Sequence, residues 1–556
     1  MKNCALLAFT WTALLWCASA EAQQSQPPES NSFTLWPKWA PFLDVGGKIG
    51  TQRDIGEGDL FIPLWQDNRS MVFGDFRFRA DNQNSDEGNF GLGYRRMLDG
   101  GWNIGGYGYY DHRHSSTGNL FDQLTFGAEL LGRDIDLRAN YYSPIGQTQQ
   151  LISTTSMGPN TAQVVNTTVQ ITVPGILATY EYALRGFDAE AGVRIPITEA
   201  ESPFALRFYA GGFRFDEPTG TVPVVAGPRL RLEFTDYDLP IWGGSRLTAE
   251  AEWQTDAVRG SQFFGGLRLR IPLWSEPKRS TRPMQERRMT EPTVRDVDVV
   301  AQSATTQITP TVTQAATTTA NGTSFTVINS NTTTGANLGT AIQAGGSTVI
   351  LAGTFTVSSG TTVATGFNQT VGSAGIVVRT ASGQTATIST QATIIGSNPT
   401  GTGTVEVRSG TTLQGVTVTS TATGGNVARA VVVDDNALTA TLINNTITAS
   451  ASGGGSNAIA VTIGLNTTIT ATGNTFTATG TTGVVSAFEI NLGQTLTAAN
   501  NTFSASGGTT NRLMDLGSNT ITGSTGNMVG SGNTGTCVHT GTITGQVSFT
   551  NGTTCP

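Results

Sequence analysis

An abrupt change of chemistry near residue 300 divides the chain and limits what each part can fold into. Before it, short stretches alternate apolar and polar residues and carry arginine at the polar positions, as in Phe76-Arg77-Phe78-Arg79 and Leu267-Arg268-Leu269-Arg270. After it, long stretches rich in Thr, Asn and Gly contain almost no charge. Alternation with a period of two is typical of strands with two unlike faces. The sequence therefore predicts an all-β chain made of two different parts.

The first part, residues 40–275, is predicted to be a transmembrane antiparallel β-barrel. A soluble core cannot bury so many guanidinium groups without partners, whereas a barrel with lipid outside and a water-containing lumen accommodates them. A soluble β-sandwich is the alternative. Aromatic residues near strand ends are predicted to form interfacial girdles: Trp102, Tyr109, Tyr110, Tyr141, Tyr142 and Trp274. About twelve strands are expected: 43–50, 59–66, 70–79, 88–97, 102–111, 122–131, 135–142, 186–195, 204–214, 229–237, 246–253 and 262–272.

The lengths of the connections predict the orientation of this barrel. Connections after even-numbered strands are short, and those after odd-numbered strands are longer or more polar, above all residues 143–185. Short turns are typical of the periplasmic side and long loops of the outside. The chain therefore begins in the periplasm, and an even strand count returns it there at Trp274. To reach the cell surface, the remaining residues must pass back through the lumen.

The N-terminus has the form of an export signal. Lys2 precedes an apolar run from Ala5 to Trp16, and small residues around Ala20 and Ala22 offer cleavage sites. We predict a signal peptide at 1–22 and a short periplasmic segment at 23–39. A retained membrane anchor is the alternative, but the apolar run is far shorter than the roughly 20 residues of a spanning helix.

Residues 276–320 are predicted to be a linker that threads the barrel lumen. Its first part is strongly charged, and its basic residues are candidates for lining and plugging the lumen: Lys278, Arg279, Arg282, Arg287, Arg288 and Arg295. An ordinary solvated linker is the alternative. Its second part, residues 301–320, has a Thr/Ala/Gln composition that predicts a flexible connection.

Residues 321–556 contain a repeated phrase that predicts a right-handed parallel β-helix. Asn-Asn-Thr or Gly-Asn-Thr followed by Ile or Phe recurs around Asn445, Asn474 and Asn501. A period of that length indicates one coil per repeat, and strand-sized apolar runs between Gly and Asn turns favour β-structure. Asn is expected at the bends, in left-handed geometry or in side-chain ladders. The alternatives are an array of β-sandwiches and a disordered stalk.

Two cysteines remain once the signal peptide is removed. Cys537 and Cys555 both lie at the extreme C-terminus. In an exported protein this pattern predicts one disulfide that closes a terminal loop, and two free thiols are the alternative.

Motifs within residues 40–300 resemble the β-domain of inverse autotransporters, the intimin/invasin group. They include Leu60-Phe-Ile-Pro-Leu-Trp-Gln-Asp-Asn68, Trp102-Asn-Ile-Gly-Gly-Tyr-Gly-Tyr-Tyr-Asp111, Leu137-Arg-Ala-Asn-Tyr-Tyr-Ser-Pro144 and Val294-Arg-Asp-Val-Asp-Val-Val300. The resemblance implies a twelve-stranded barrel with a linker across its pore, in a group whose members carry adhesive passengers. The chain departs from the group in having no room for a peptidoglycan-binding module at 23–39 and no immunoglobulin-type repeats. Val349-Ile-Leu-Ala-Gly-Thr-Phe355 resembles the opening coils of pectate-lyase-like β-helices.

The candidate sites for catalysis or metal binding are few. The adjacent pair Asp434-Asp435 faces opposite ways on a strand and can cooperate only at a bend, so a turn is the simpler interpretation. His539 has no recognisable Ser or Cys partner. His112 and His114 are expected at a loop tip rather than on a metal. We therefore predict no catalytic residues, no metal and no cofactor. The net charge of -8 argues against nucleic acid as a partner.

The leading hypothesis is an outer-membrane protein that threads and displays its own C-terminal region as an adhesin. Its expected partners are outer-membrane lipid, the barrel-assembly and periplasmic chaperone machinery, and a surface ligand on a host, a cell or a glycan. Two other hypotheses are an enzyme acting on surface polysaccharide through Asp434 and Asp435, and an open channel with the C-terminal region in the periplasm.

Overall fold

The structure, a computed structural model, describes residues 38–274, 282–295, 299–398, 403–435 and 438–556. The predicted signal peptide, nearly all of the segment 23–39, Lys278 and Arg279 lie outside the described residues. The chain divides into two compact units, one of residues 1–150 with 181–304 and one of residues 151–180 with 305–556. Within the described ranges, no helix is long and apolar enough to cross a membrane.

The first unit contains a closed antiparallel barrel of twelve strands, which confirms the predicted architecture. It uses β1–β7 and β12–β16, with β1 pairing with β16 to close the cylinder and β7 pairing directly with β12. Every predicted strand is present, most of them extended by a few residues. The bounds are β1 (Phe42–Gly50), β2 (Ile55–Gln66), β3 (Ser70–Asp81), β4 (Asp86–Met97), β5 (Asn103–His114), β6 (Leu120–Leu131), β7 (Ile135–Ile145), β8 (Gln149–Ser156), β9 (Thr161–Val165), β10 (Thr168–Val173), β11 (Ile176–Ala183), β12 (Arg185–Ile195), β13 (Phe204–Asp216), β14 (Val225–Asp236), β15 (Arg246–Asp256) and β16 (Gly260–Pro272).

The barrel strands point their apolar side chains outward and their charged side chains inward. On β3, Phe76 is 40% exposed whereas the next residue, Arg77, is 3% exposed. The same alternation shows that the girdle prediction is wrong for two residues. Tyr109 and Tyr142 face the lumen and are buried, because each directly precedes or follows an outward tyrosine on its strand. Trp274 and Tyr141 are exposed, as an outward belt requires.

Residues 146–184, between β7 and β12, fold into a hairpin rather than an irregular loop. Its stem is β8 and β11, and its tip is β9 and β10. The stretch predicted to be a flexible linker also forms strands, β17 (Ala301–Thr309) and β18 (Val312–Thr319). β17 pairs with β11 and β18 pairs with β10. Pairing with distant strands therefore overrides the local Thr/Ala/Gln composition.

The second unit is dominated by a three-sheet parallel β-helix, residues 326–539. Its first sheet has the order β19-β20-β23-β28-β31-β34-β37-β40, its second β21-β26-β29-β32-β35-β38-β41 and its third β22-β27-β30-β33-β36-β39-β42. The bounds are β19 (Thr326–Asn329), β20 (Thr348–Ala352), β21 (Thr354–Thr356), β22 (Val363–Ala364), β23 (Thr370–Gly372), β24 (Val377–Thr380), β25 (Thr385–Thr387), β26 (Ala392–Ser397), β27 (Val405–Val407), β28 (Thr411–Gln414), β29 (Val416–Thr423), β30 (Val427–Val433), β31 (Thr439–Ile443), β32 (Thr446–Ser452), β33 (Asn457–Ile463), β34 (Thr468–Thr472), β35 (Thr475–Gly480), β36 (Val484–Ile490), β37 (Thr495–Ala499), β38 (Thr502–Ser506), β39 (Thr510–Leu516), β40 (Thr520–Thr525), β41 (Met528–Val529), β42 (Thr536–His539), β43 (Val547–Ser548) and β44 (Thr554–Cys555).

Short helices complete the description. They are α1 (Met284–Arg287), a 3-10 turn at Arg288–Thr290, a second 3-10 turn at Gly335–Asn337 and α2 (Leu338–Ala344). α2 adds Leu338 and Ile342 to the core of the β-helix near its first coil.

Stacked identical positions hold the β-helix together. Asn445, Asn474 and Asn501 are buried. The Nδ2 of Asn445 donates to the Oδ1 of Asn474 at 2.9 Å, and the Nδ2 of Asn474 donates to the Oδ1 of Asn501 at 3.0 Å. Each also donates to a backbone carbonyl, Leu413 for Asn445 and Leu442 for Asn474, both at 2.8 Å. This is the asparagine ladder that the repeat predicts, and it satisfies backbone groups at the bend between the first and second sheets.

The far end of the β-helix is closed by a small terminal cap. Cys537 on β42 forms a disulfide with Cys555 on β44, with 5.3 Å between the Cα atoms. Phe549, between the two strands of the terminal hairpin β43–β44, packs on Phe503 with ring centroids 5.7 Å apart. Aromatic packing and the cross-link together seal the last coil.

Candidate functional site: the barrel lumen and the segment that crosses it

A segment of the linker, residues 282–300, enters the barrel at the end with the short turns. We call it the lumen segment, and it is described except for 296–298. Gln285 donates to the carbonyl oxygens of Leu98 and Trp102, at 2.8 and 3.0 Å, in the turn between β4 and β5. Arg287 donates to the carbonyl of Ser202 at 3.0 Å, in the turn between β12 and β13.

The same segment leaves the barrel at the end with the long loops. The Arg295 guanidinium lies 2.9 Å from the carboxylate of Asp111, which is near the end of β5. The Val299 N–H donates to Glu87 at 2.9 Å, near the start of β4. The segment therefore contacts the barrel at both ends and crosses the whole lumen.

Buried ion pairs hold the middle of the lumen segment. Arg288 binds Asp136 of β7 through both guanidinium nitrogens, at 2.5 and 2.7 Å, and both side chains are about 1% exposed. Arg207 and the Tyr209 hydroxyl also donate to Asp136, at 3.2 and 3.0 Å. Glu291 accepts a hydrogen bond from the Tyr237 hydroxyl at 2.5 Å. Arg288 therefore meets an opposite charge of the barrel wall, and Glu291 meets a hydroxyl of the wall.

Barrel arginines bind the backbone of the lumen segment as well as its side chains. Arg95 donates to the carbonyls of Met289 and Glu291 at 3.0 and 2.5 Å, and Arg270 donates to the carbonyl of Thr290 at 2.9 Å. Two further contacts of this kind run from Arg246 to the Arg287 carbonyl at 3.1 Å and from Arg77 to the Thr293 carbonyl at 3.1 Å. Every residue has a backbone carbonyl, so these hydrogen bonds depend little on which side chains occupy the lumen.

The lumen arginines are enclosed by protein instead of facing a wide water-filled channel. Arg95 and Arg270 are 0–1% exposed. Arg95 of β4 pairs with Glu129 of β6, two strands away, and Arg270 of β16 pairs with Asp44 of the adjacent β1. A cavity of about 60 Å³ remains beside the segment, lined in part by Lys48. Carboxylates of the wall and the lumen segment therefore fill the part of the lumen beside this cavity.

The predicted lumen residues that the structure describes all contact the barrel unit. Arg282 donates to the Lys38 carbonyl at 2.6 Å, and Arg287, Arg288 and Arg295 make the contacts given above. The sequence did not predict their partners on the barrel wall. Alternation shows which arginines and carboxylates face inward, but it does not show which of them pair. The signal was present in the alternation of the strands, which already marked those side chains as inward.

The other candidate residues form no reactive arrangement. Asp435 accepts a hydrogen bond from the Leu465 N–H of the next coil at 2.9 Å, so it supports a turn after β30. His112 lies 2.7 Å from Asp122 and His114 lies 3.4 Å from Asp86, each at an exposed strand end. Among the residues with described positions, no three His, Cys, Asp or Glu side chains are grouped to hold a metal ion.

Comparison with known proteins gives one similarity in the barrel region. A family model of the inverse autotransporter β-domain matches residues 41–208. A search of curated proteins found no match to the chain.

Solved structures of outer-membrane barrels give further similarities. The β-domain of the Bordetella autotransporter BrkA is 12% identical, with 41% of this chain and 98% of that chain covered and a TM-score of 0.21. Outer membrane phospholipase A from Escherichia coli is 11% identical, with coverage of 44% and 95% and a TM-score of 0.23. The NanC porin is 12% identical, with coverage of 42% and 100% and a TM-score of 0.25.

The family match covers eight of the nine barrel strands that begin before residue 208 and the first five residues of the ninth, β13. The apolar outer faces of those strands and their charged inner faces are the pattern that a barrel in lipid requires. Residues 41–208 are therefore similar to the inverse autotransporter β-domain, and the closed barrel that contains them is joined in this chain to a β-helix.

Proposed function

We propose that the barrel anchors the chain in the outer membrane and displays the β-helix outside the cell, where it serves as an adhesin. The observation that carries the proposal is the lumen segment. It runs from the short-turn end to the long-loop end and is held along its length by Arg288, Arg295 and the wall arginines. If the short turns face the periplasm, residues after Val300 lie outside.

Backbone contacts in the lumen fit a barrel that exports its own chain. A wall that binds side chains of one sequence would resist the passage of others, whereas carbonyls are common to all of them. Arg95 and Arg270 can bind successive carbonyls as a chain moves through. Insertion of the barrel in lipid, with the help of periplasmic chaperones and the barrel-assembly machinery, is part of the proposal.

The adhesive role is supported by two uncharged faces of the β-helix. On the second sheet Thr417, Thr446, Thr475 and Thr502 stand in register on successive coils, and half-buried Thr or Ser columns flank them. Eight of the nine charged residues after residue 320 lie on the third sheet or directly after its strands. Repeated hydroxyl columns offer many equivalent weak contacts, which suits multivalent attachment.

Topology is tested by cysteine labelling on whole cells. Single cysteines at Thr419 in the β-helix and at Asp99 in a short turn, in a chain without Cys537 and Cys555, are exposed to a membrane-impermeant maleimide. Display predicts labelling at position 419 in intact cells and at position 99 only after the outer membrane is opened. The reverse pattern would place the β-helix in the periplasm and reject the proposal.

Adhesion is tested with charge placed on a threonine column. Cells that express the chain are compared for settling in suspension and for attachment to polystyrene. Thr448→Lys with Thr477→Lys on the second sheet is expected to weaken both at least several-fold, whereas Thr462→Lys on the third sheet leaves them near wild type. Cells lacking residues 321–556 give the baseline. Attachment that equals this baseline in the wild type contradicts the adhesive role.

A further inference from the structure

Two of the five strands of one sheet in the second compact unit come from the hairpin between β7 and β12. The sheet has the order β25-β24-β18-β10-β9, so two hairpin strands, one linker strand and two β-helix strands share it. β18 lies at its centre, antiparallel to β10 with Val312 opposite Val173 and antiparallel to β24 with Thr319 opposite Val378. We call residues 159–173 the hairpin tip.

The hairpin tip also closes an apolar layer against the first coil of the β-helix. Val169 and Ile171 of β10 are fully buried in one cluster with Ile350 of β20. On β20, Val349 and Leu351 point into the β-helix core while Ile350 points away from it, yet all three are 0% exposed. The sheet that contains the tip therefore covers the outward face of a strand that would otherwise expose isoleucine.

Polar contacts fix the register of the tip. Asn166, in the left-handed conformation that its two-residue turn requires, offers its carbonyl to the Asn329 side chain at 2.9 Å. Asn160 donates to the Thr385 carbonyl at 3.1 Å, and Ala162 forms a parallel bridge with Ile388. The tip therefore specifies where β18, β19 and β25 lie.

The order of these elements along the chain suggests what the contacts are for. After the lumen segment, β17 pairs with β11 of the hairpin stem. The next three strands, β18, β19 and β20, all contact the hairpin tip. A single coil of a β-helix cannot bury its apolar edge alone. Formation of the first coil is therefore the step with the highest free-energy cost. An already placed strand edge lowers that cost, because both ends of the hairpin are fixed by barrel strands and the loop to be closed from residue 300 to β18 is short.

We propose that the hairpin between β7 and β12 is an intramolecular template that starts the folding of the β-helix. β18 adds to the edge of β10, the first coil then docks through Ile350, and later coils add to the one before. The proposal deepens the proposed function, since a chain that emerges at the cell surface would meet the template first. It also makes folding proceed from the barrel end towards Cys555.

The test measures folding and unfolding rates of the β-helix in the purified full chain in detergent. All nine tryptophans precede residue 275, so their fluorescence follows the N-terminal part of the chain, while pulse proteolysis reports the β-helix. Urea is set where the β-helix is unfolded and the fluorescence is still native. Because this assay needs no cell surface, its failure is separate from a failure of the labelling test for display.

The main variant is Val169→Asp with Ile171→Asp, and the matched control is Gln170→Asp with Thr172→Asp on the other face of the same strand. A template predicts refolding of the β-helix slowed by roughly ten-fold or more, with a much smaller change in the unfolding rate. The control pair is expected to slow refolding far less.

A second variant addresses the interface from the other side and leaves the barrel strands untouched. Ile350→Thr is expected to slow refolding in the same way, again with little effect on unfolding. If either variant speeds unfolding while refolding keeps its wild-type rate, the hairpin is only a stabilising cover and the proposal is overturned. Unchanged rates in both variants overturn it equally.

Discussion

The barrel and the β-helix are both closed β-structures, and they place opposite chemistry inside. The barrel buries arginines such as Arg95 and Arg270 and exposes Phe90 and Leu92. The β-helix buries Leu442 and Phe476 and has half-buried rows of threonine on its outward face. Strand alternation is the same in both, so the difference lies in which face meets which solvent. An interior can be charged when neighbouring strands supply counter-charges, and must be apolar when they do not.

The largest test of this contrast puts an arginine inside the β-helix. Leu442→Arg introduces a guanidinium where the surrounding cluster offers only aliphatic and aromatic side chains. We expect the β-helix to lose about 5 kcal/mol of stability or to remain unfolded. Pulse proteolysis of the purified full chain measures the loss.

The matched control is Thr441→Arg, one residue earlier on β31 and on the outward face. Its effect is expected to stay within about 0.5 kcal/mol, as for surface substitutions in general. Equal losses for the two variants would mean that the inward and outward faces of this sheet are not distinct.

The next test removes a counter-charge from the lumen. Asp136→Ala leaves Arg288 and Arg207 buried without their shared carboxylate. A cost of about 3–5 kcal/mol is expected, because uncompensated buried charges are strongly unfavourable. The change is measured as the unfolding temperature of the barrel from tryptophan fluorescence in detergent.

Asp99→Ala provides the comparison for that variant. Asp99 pairs with Arg69 at 3.0 Å, and their side chains are 89% and 59% exposed. Exposed pairs contribute about 0–1 kcal/mol, so the barrel should unfold near the wild-type temperature. A large loss here, or none for Asp136→Ala, would remove the argument that lumen pairs hold the barrel and its segment together.

The third test moves to the outer face of the barrel. Phe90→Arg places a charge where β4 faces lipid, and a cost of about 2–4 kcal/mol is expected near the bilayer midplane. The measurement compares folding in lipid vesicles with that of Phe90→Leu, which keeps the face apolar and should stay within about 1.5 kcal/mol of wild type. Outward arginine would then be costly on the barrel and neutral on the β-helix.

Much of this contrast could be predicted from the sequence, because alternation is local. Arg77 and Phe76 are neighbours, and their different character already assigns the two faces of β3. The twelve barrel strands and the asparagine ladder around Asn474 follow from patterns within a few residues or one repeat. Errors arose where alternation was not applied strictly, as for Tyr109 beside Tyr110.

The pairings between distant elements could not be predicted in this way. Arg270 binds Asp44 across 226 residues, and Thr172 of the hairpin meets Thr313 across 141. Such contacts depend on barrel closure and on the register of strands far apart in the chain. The prediction of a flexible linker at residues 301–320 is wrong for the same reason. Composition describes a stretch in isolation, whereas these strands form by pairing with β10 and β11.

The smallest test concerns a carboxylate on the charged face of the β-helix. Burial and, after it, the neighbouring carboxylate of Asp515 on the next coil raise the pKa of Glu489, against the opposing influence of Arg429 and Arg512. A carboxyl whose pKa is higher folded than unfolded stabilises the fold fully at pH below about 4.3 and loses that contribution as the pH rises through its folded value. Ionised Glu489 is therefore a small penalty at neutral pH.

Glu489→Gln imitates the protonated side chain and should raise the stability of the β-helix at pH 7 by about 1 kcal/mol or less. The gain should vanish near pH 4, where the wild-type carboxyl is itself protonated. Glu406→Gln on the same sheet is the control, because it removes an ion pair with Arg408 at 3.7 Å and should give no gain. Urea unfolding at both pH values measures the four differences. If the stability gain of Glu489→Gln persists at pH 4, the gain comes from packing and not from removal of a charge. Ionised Glu489 would then carry no electrostatic penalty, and the third sheet would tolerate charge no less than the lumen does.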